Sequence, residues 1–261
     1  MRPGEAERNP VVVFLVSVFY SFVAMFFAHM LFSPQSSVLS IAFITILFVP
    51  FFQLLFRVEE AKVSIKTNNS FISRHRKAFG VYAAFFVGVV LVYVLVFSVL
   101  PTANVFDLQV EHLREKGHVA GKVTSSSERF FTFFYNNTRV MLLSFVLSAL
   151  FGTGAVFILS WNASIIGVYF GLLVRKYFSS VGMVPAYFHG VTEGLMRIGL
   201  HGVPEIFAYI MAGFAGGIFS IIIIREKYGT KRFKVCMLDA LALLSVAELL
   251  IFIAAVLEAV A

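Results

Sequence analysis

Seven apolar stretches dominate this chain, and most approach or exceed the roughly 20 residues needed to cross the hydrocarbon core of a bilayer. They run Val11 to Phe32, Val38 to Phe56, Ala78 to Leu100, Val140 to Ser160, Ala163 to Phe178, Val203 to Ile224 and Val235 to Val260. Lipid satisfies no backbone N–H or C=O, so each stretch is expected to be helical. The predicted fold is all-α, a polytopic transmembrane bundle of about seven spans in the cell membrane, with the lipid bilayer as its first partner. Charge content agrees. Only 13% of the 261 residues are charged and the mean hydropathy is +0.90, about half the charge that a soluble surface carries.

The basic residues orient the spans. Arg57, Lys62, Lys66, Arg74, Arg76 and Lys77 separate spans two and three, and Arg225, Lys227, Lys231, Arg232 and Lys234 separate spans six and seven. Short loops rich in Lys and Arg stay in the cytoplasm. Four spans lie between the two loops, an even number, so one side can hold both. This parity predicts a cytoplasmic N-terminus and an outer C-terminus. It leaves one misfit, Arg175-Lys176 at the outer end of span five. The same loops account for the net charge of +7, so no nucleic-acid partner is expected. Met1 to Asn9 has no signal-peptide pattern, and the single Cys236 allows no internal disulfide.

Spans one and two are joined by a tight turn at Ser33-Pro34-Gln35-Ser36-Ser37. The one sizeable outer segment is Pro101 to Arg139. Asp107 to Lys116 reads there as a short amphipathic helix ended by Gly117, and Ser125 to Glu128 as a capping box that starts another helix near Ser126. Phe130, Phe131, Phe133, Phe134 and Tyr135 suit the membrane interface. The sequons Asn68-Asn69-Ser70 and Asn136-Asn137-Thr138 read as chance matches. Three regions follow: 1–129, 130–224 and 225–261.

Small residues recur at helix-packing spacing. Gly167 and Gly171 are four apart in span five and Gly213 and Gly217 in span six, with Gly216 beside them and Gly152 and Gly154 in span four. Such residues let helix backbones approach closely. They predict a tight core of spans four to six. Spacing alone leaves open whether the contact is within one chain or between copies, so a homo-oligomer is expected alongside other membrane protein partners.

Two related motifs carry His and Glu. His189-Gly190-Val191-Thr192-Glu193 is followed twelve residues later by His201-Gly202-Val203-Pro204-Glu205. His and Glu four apart share a helix face, so each pair could share a proton or contribute to a metal site. The preferred reading is structural. Gly after each His suggests a helix break, and Pro204 suits the first turn of span six, with Glu205 at its positive end. No complete metal site is expected. Asn137, Asn162, Asp239 and Glu248 are the other buried polar candidates. Glu248 falls near the middle of span seven, where an ionised carboxylate costs about 2.5 kcal/mol or more. It is therefore either part of an ion path or neutral and bonded to a neighbouring helix. Glu59-Glu60 reads as solvated loop surface.

The sequence lacks GxSxG, HExxH, GxGD, a Walker loop and a dinucleotide fingerprint, so neither catalytic residues nor a cofactor is expected. From about Phe130 to Ile224 the chain resembles the stage II sporulation protein M family. The resemblance rests on Asn136-Asn137-Thr138-Arg139, Phe151-Gly152-Thr153-Gly154, Asn162 at a turn between spans four and five, Gly167, Gly171, His201 to Ile206, Ala212-Gly213 and Gly216. Ala163 stands where the family often has Gly, and His189-Gly190 looks like an extra copy. Bacterial members anchor a peptidoglycan-degrading complex during engulfment and are not known as hydrolases, but membership reaches well beyond spore formers. What the resemblance implies is a non-enzymatic membrane core with matched polar positions at Asn137, Arg139, Asn162, His201 and Glu205. The leading expectation is a self-associating membrane scaffold or complex subunit. The alternative is a channel or transporter for a small cation or proton, with His189, Glu193, His201, Glu205 and Glu248 along its path.

Overall fold

Apolar sequence of this kind folds into helices throughout, and the computed structural model contains no strand among the residues it describes, which are 6, 8–62, 71–100, 104–120, 125–225 and 229–260. The helices are α1 (Pro10–Leu31), α2 (Ser36–Lys62), α3 (Phe71–Val99), α4 (Asp107–Ala120), α5 (Ser126–Phe151), α6 (Ala155–Val181), α7 (Met183–Arg225) and α8 (Lys231–Val260). Six of the long helices are apolar enough to cross a membrane. The exception, α5, is 26 residues long and carries Glu128, Arg129 and Arg139. The protein is an all-α membrane protein with several spans. Sequon Asn68-Asn69-Ser70 and basic residues Lys66 and Lys227 lie outside the described residues.

Contacts fix the direction of each helix. Tyr20 of α1 and Phe32 at its C-cap meet Phe48 and Phe43 of α2, an antiparallel pairing. Phe52 and Phe48 stack against Tyr82 and Phe85 of α3 at 4.3 and 4.7 Å, antiparallel again. A Cβ on Gly171 of α6 would come 2.7 Å from the Phe97 ring of α3, and Gly167 presses on Tyr93, so α3 and α6 run parallel. Helix α7 returns antiparallel to α6, with Gly190 on Val174 and Gly213 on Ala155. Helix α5 lies parallel to α7, and α8 lies antiparallel to both. The seven long helices therefore alternate in direction along the chain. Arg57, Arg76, Lys77, Lys231 and Lys234 all come to one end, the end that the positive-inside rule assigns to the cytoplasm.

Two segmentations differ from the sequence reading. The expected span Val140 to Ser160 is interrupted: α5 stops at Phe151 and α6 begins at Ala155. Gly152 adopts φ 76°, a left-handed C-cap, which glycine takes at no steric cost. The Ser148 hydroxyl accepts the Ala155 N–H at 2.8 Å, and Gly154 lies so close to the Leu147 backbone that no side chain fits. The chain then runs straight through Trp161-Asn162, where a turn is expected from sequence. Residues 179–202, which lie outside the spans read from sequence, are helical except at Gly182, where α6 gives way to α7. Helix α7 continues for 43 residues, with neither His-Gly pair breaking it. Its glycines are contact points: a Cβ on Gly194 would sit 2.6 Å from the Phe170 ring. Pro204 lies inside the helix, removing only the bond to the carbonyl four residues back. Glu205 is therefore no cap.

The smaller expectations fare better. Ser33–Gln35 forms a 3-10 turn, and Ser125 caps α5 by accepting the Glu128 N–H at 3.2 Å. Helix α4 is the exception: expected to end at Gly117, it continues to Ala120. The misfit at Arg175-Lys176 also resolves. Arg175 donates to the Ser98 carbonyl at the end of α3, and Lys176 bonds Glu193.

Candidate functional site

Three polar residues in succession on α5, Asn136-Asn137-Thr138, open a seam between α5, α7 and α8. Successive residues on a helix point about 100° apart, so this triplet can reach two neighbours at once. Asn137 is 3% exposed. Its amide nitrogen donates to Glu205 of α7, and its oxygen accepts from the Tyr209 hydroxyl and from Asn136 Nδ2, each at 3.0 Å. Thr138 turns to α8 and donates to Glu248 Oε1 at 3.0 Å. One turn along α7 from Glu205, His201 Nδ1 stands 2.6 Å from Glu258 of α8. Below these, the Ser144 hydroxyl donates to the Tyr209 carbonyl at 3.1 Å.

Asn137 lies 14 residues before the basic end of α5, about 21 Å along the axis at 1.5 Å per residue. That depth belongs to the half of a 30 Å hydrocarbon core farther from the basic end. Paired polar groups there remove the cost of leaving donors and acceptors empty in lipid. His201 and Glu258 continue the seam away from the basic end.

The structure thus brings Asn137, His201, Glu205 and Glu248 into one seam. It does not include the other candidates. Arg139 is exposed on α5. Asn162 sits within α6 and donates to the Ile158 carbonyl of its own helix at 2.8 Å. His189 and Glu193 face α6. Glu193 accepts from Tyr177 at 2.9 Å and pairs with Lys176 and Arg197, while the His189 ring lies 5.5 Å from Tyr177. Twelve residues turn a helix by roughly 120° beyond whole turns, so the two His-Gly-Val motifs meet different neighbours and do different work.

His201 pairs with Glu258 and Glu205 accepts from Asn137, whereas Glu193 pairs with Lys176 and Arg197. Among the described residues no cluster of three or more His, Cys, Asp or Glu is placed to hold a metal. Asp239 is 8% exposed and partnered.

Sequence reasoning missed Tyr209, Glu258 and a second buried pair, and it gave Thr138 no role of its own. Glu59 and His75 are both fully buried where α2 and α3 meet, with Nδ1 2.5 Å from Oε2. The reading of Glu59 as solvated surface is therefore wrong. Helix α2 carries it inward, and the His75 ring packs 5.0 Å from Phe214 of α7. A histidine one helix away, facing an acid, is the signal that spacing along a single chain conceals.

The glycines answer the question that spacing leaves open. Gly167 and Gly171 press on α3, Gly213 on α5 and α6, Gly216 on Phe145 and Ser148 of α5, and Gly217 on the Phe56 ring of α2. These faces are occupied within one chain.

Comparison with curated proteins and with solved structures yields no match. The family description Stage II sporulation protein M matches residues 78–261. That is wider than the stretch from Phe130 to Ile224 on which the sequence resemblance rests, because it takes in α3 and α8 as well. With about two thirds of its length matched, including every helix of the polar seam, the chain belongs to the stage II sporulation protein M family.

Proposed function

We propose that this protein is a non-enzymatic scaffold or subunit of a membrane complex, with the α5–α7–α8 seam acting as its internal brace. The observation that carries this reading is the mutual pairing along the seam. Asn137 binds Glu205 and Tyr209, Thr138 binds Glu248, and His201 faces Glu258. Groups bonded to one another fix helix positions, whereas an ion path needs groups free to take up and release a cation. Self-association belongs to the same reading, but through lipid-facing surfaces, since the glycine faces are taken up inside the chain.

The test is cation flux through purified protein in liposomes, with Glu205→Gln and Glu248→Gln alongside. Each amide retains an oxygen that can accept from Asn137 or Thr138, so both variants should fold. Wild-type vesicles as tight to K⁺, Na⁺ and H⁺ as empty ones are the expected result. Particle mass in nanodiscs should exceed one copy. Flux present in wild type and lost in either folded variant would replace the scaffold with the conduit, in which His201, Glu205 and Glu248 carry the cation.

A further inference from the structure

At the basic end of the bundle, a cavity of about 320 Å³ lies between the end of α2, the end of α5 and α7. Its polar groups come from three places in the sequence. Gln53 and Arg57 sit one turn apart on α2, and both are exposed. Ser220 of α7 is only 6% exposed, and its hydroxyl makes no hydrogen bond with any described residue. Arg57 makes no ion pair with any described residue either. The rest of the wall is apolar. Leu150 and Phe151, each 68% exposed, stand at its edge beside Ile221.

We propose that this cavity binds the phosphodiester headgroup of an anionic phospholipid from the cytoplasmic leaflet. A guanidinium offers planar, charge-assisted donors to a phosphate oxygen. The Gln53 amide and the Ser220 hydroxyl supply neutral donors beside it. The Ser220 hydroxyl lines the cavity, where it can donate to a phosphate oxygen. Position selects the source of the phosphate. Arg57 closes the apolar stretch of α2, so the cavity lies at headgroup depth, and Leu150 and Phe151 extend from it along the path of an acyl chain. Anionic lipids already concentrate at a face carrying this many Lys and Arg residues. The cavity adds a shaped site to that general attraction.

Native mass spectrometry of the full-length protein, with phosphatidylglycerol or phosphatidylcholine titrated into mild detergent, tests this. Wild type should retain one phosphatidylglycerol at concentrations where phosphatidylcholine is lost. Arg57→Gln should weaken that retention about fivefold, as expected for one basic contact at a membrane surface. Arg76→Gln, at the same end but outside the cavity, should leave it unchanged. Inorganic phosphate in millimolar excess should not displace the lipid. Equal retention of the two lipids would overturn the proposal. So would equal loss in Arg57→Gln and Arg76→Gln, which would mean surface charge alone, or displacement by inorganic phosphate, which would mean an anion site indifferent to lipid. Because Arg57 is exposed, its substitution leaves the packing intact, and an unchanged melting temperature verifies this.

Discussion

Glu59 and His75 meet at 2.5 Å with neither side chain reaching the surface. Removing one member of such a pair strands the other, which costs about 3–5 kcal/mol. Glu59→Ala should therefore lower the melting temperature in detergent sharply. Replacing both residues by Leu should recover part of the loss, because neither member is then left facing the other's empty place. An unchanged melting temperature in Glu59→Ala would show the pair to be solvated. The contrast with Glu248 shows what single residues reveal in a sequence. An acid inside an apolar run stands out because lipid penalises it, and Glu248 does find a partner in Thr138. Glu59 lies at the margin of a basic loop, where a solvated carboxylate is equally ordinary. Only the third dimension, which brings α3 alongside, separates the two cases.

Helices were legible as apolar runs, but their ends were not. Glycine has two uses in a membrane helix, stopping it or letting a neighbour approach, and sequence spacing does not separate them. At Gly152 the positive φ stops α5, whereas Gly190, Gly194, Gly213 and Gly216 lie inside an unbroken α7 and meet neighbouring helices. The second use gives a direct test. A Cβ on Gly216 would run into the Phe145 carbonyl and lie 2.9 Å from Ser148 Cβ. Gly216→Ala should destabilise by about 1–3 kcal/mol through overpacking. Gly80 of α3 has nothing within 4 Å of an added Cβ, so Gly80→Ala should be neutral or gain up to about 1 kcal/mol from helix propensity. Thermal unfolding of both variants under one condition checks the pair, and equal effects would contradict the close approach of α5 and α7.

For the whole molecule, the alternating helix directions place Ser125 and Gly182 at one end and Gly229 at the other. In a Cys236→Ser background, single cysteines at Ser125 and Gly229 should label oppositely with a membrane-impermeant maleimide applied to intact cells. Ser125→Cys should react from outside, and Gly229→Cys only after the membrane is opened. Labelling of both from one side would break the parity. The charge pattern made this arrangement legible, because basic residues mark the ends of spans directly. Arg175-Lys176 looked out of place only because its partners, the Ser98 carbonyl and Glu193, belong to other helices. The length of α7 has a mechanical consequence. At about 65 Å for its 43 residues, it is a rod twice as long as the hydrocarbon is thick, even when tilted. One arm carries Glu193 and Arg197, and the other runs down to the basic end. The fulcrum is Pro204, the one place where the rod has given up a backbone bond, and it stands between His201 and Glu205. Bending at Pro204 would shift His201 and Glu205 together, and with them their contacts to Glu258 and Asn137.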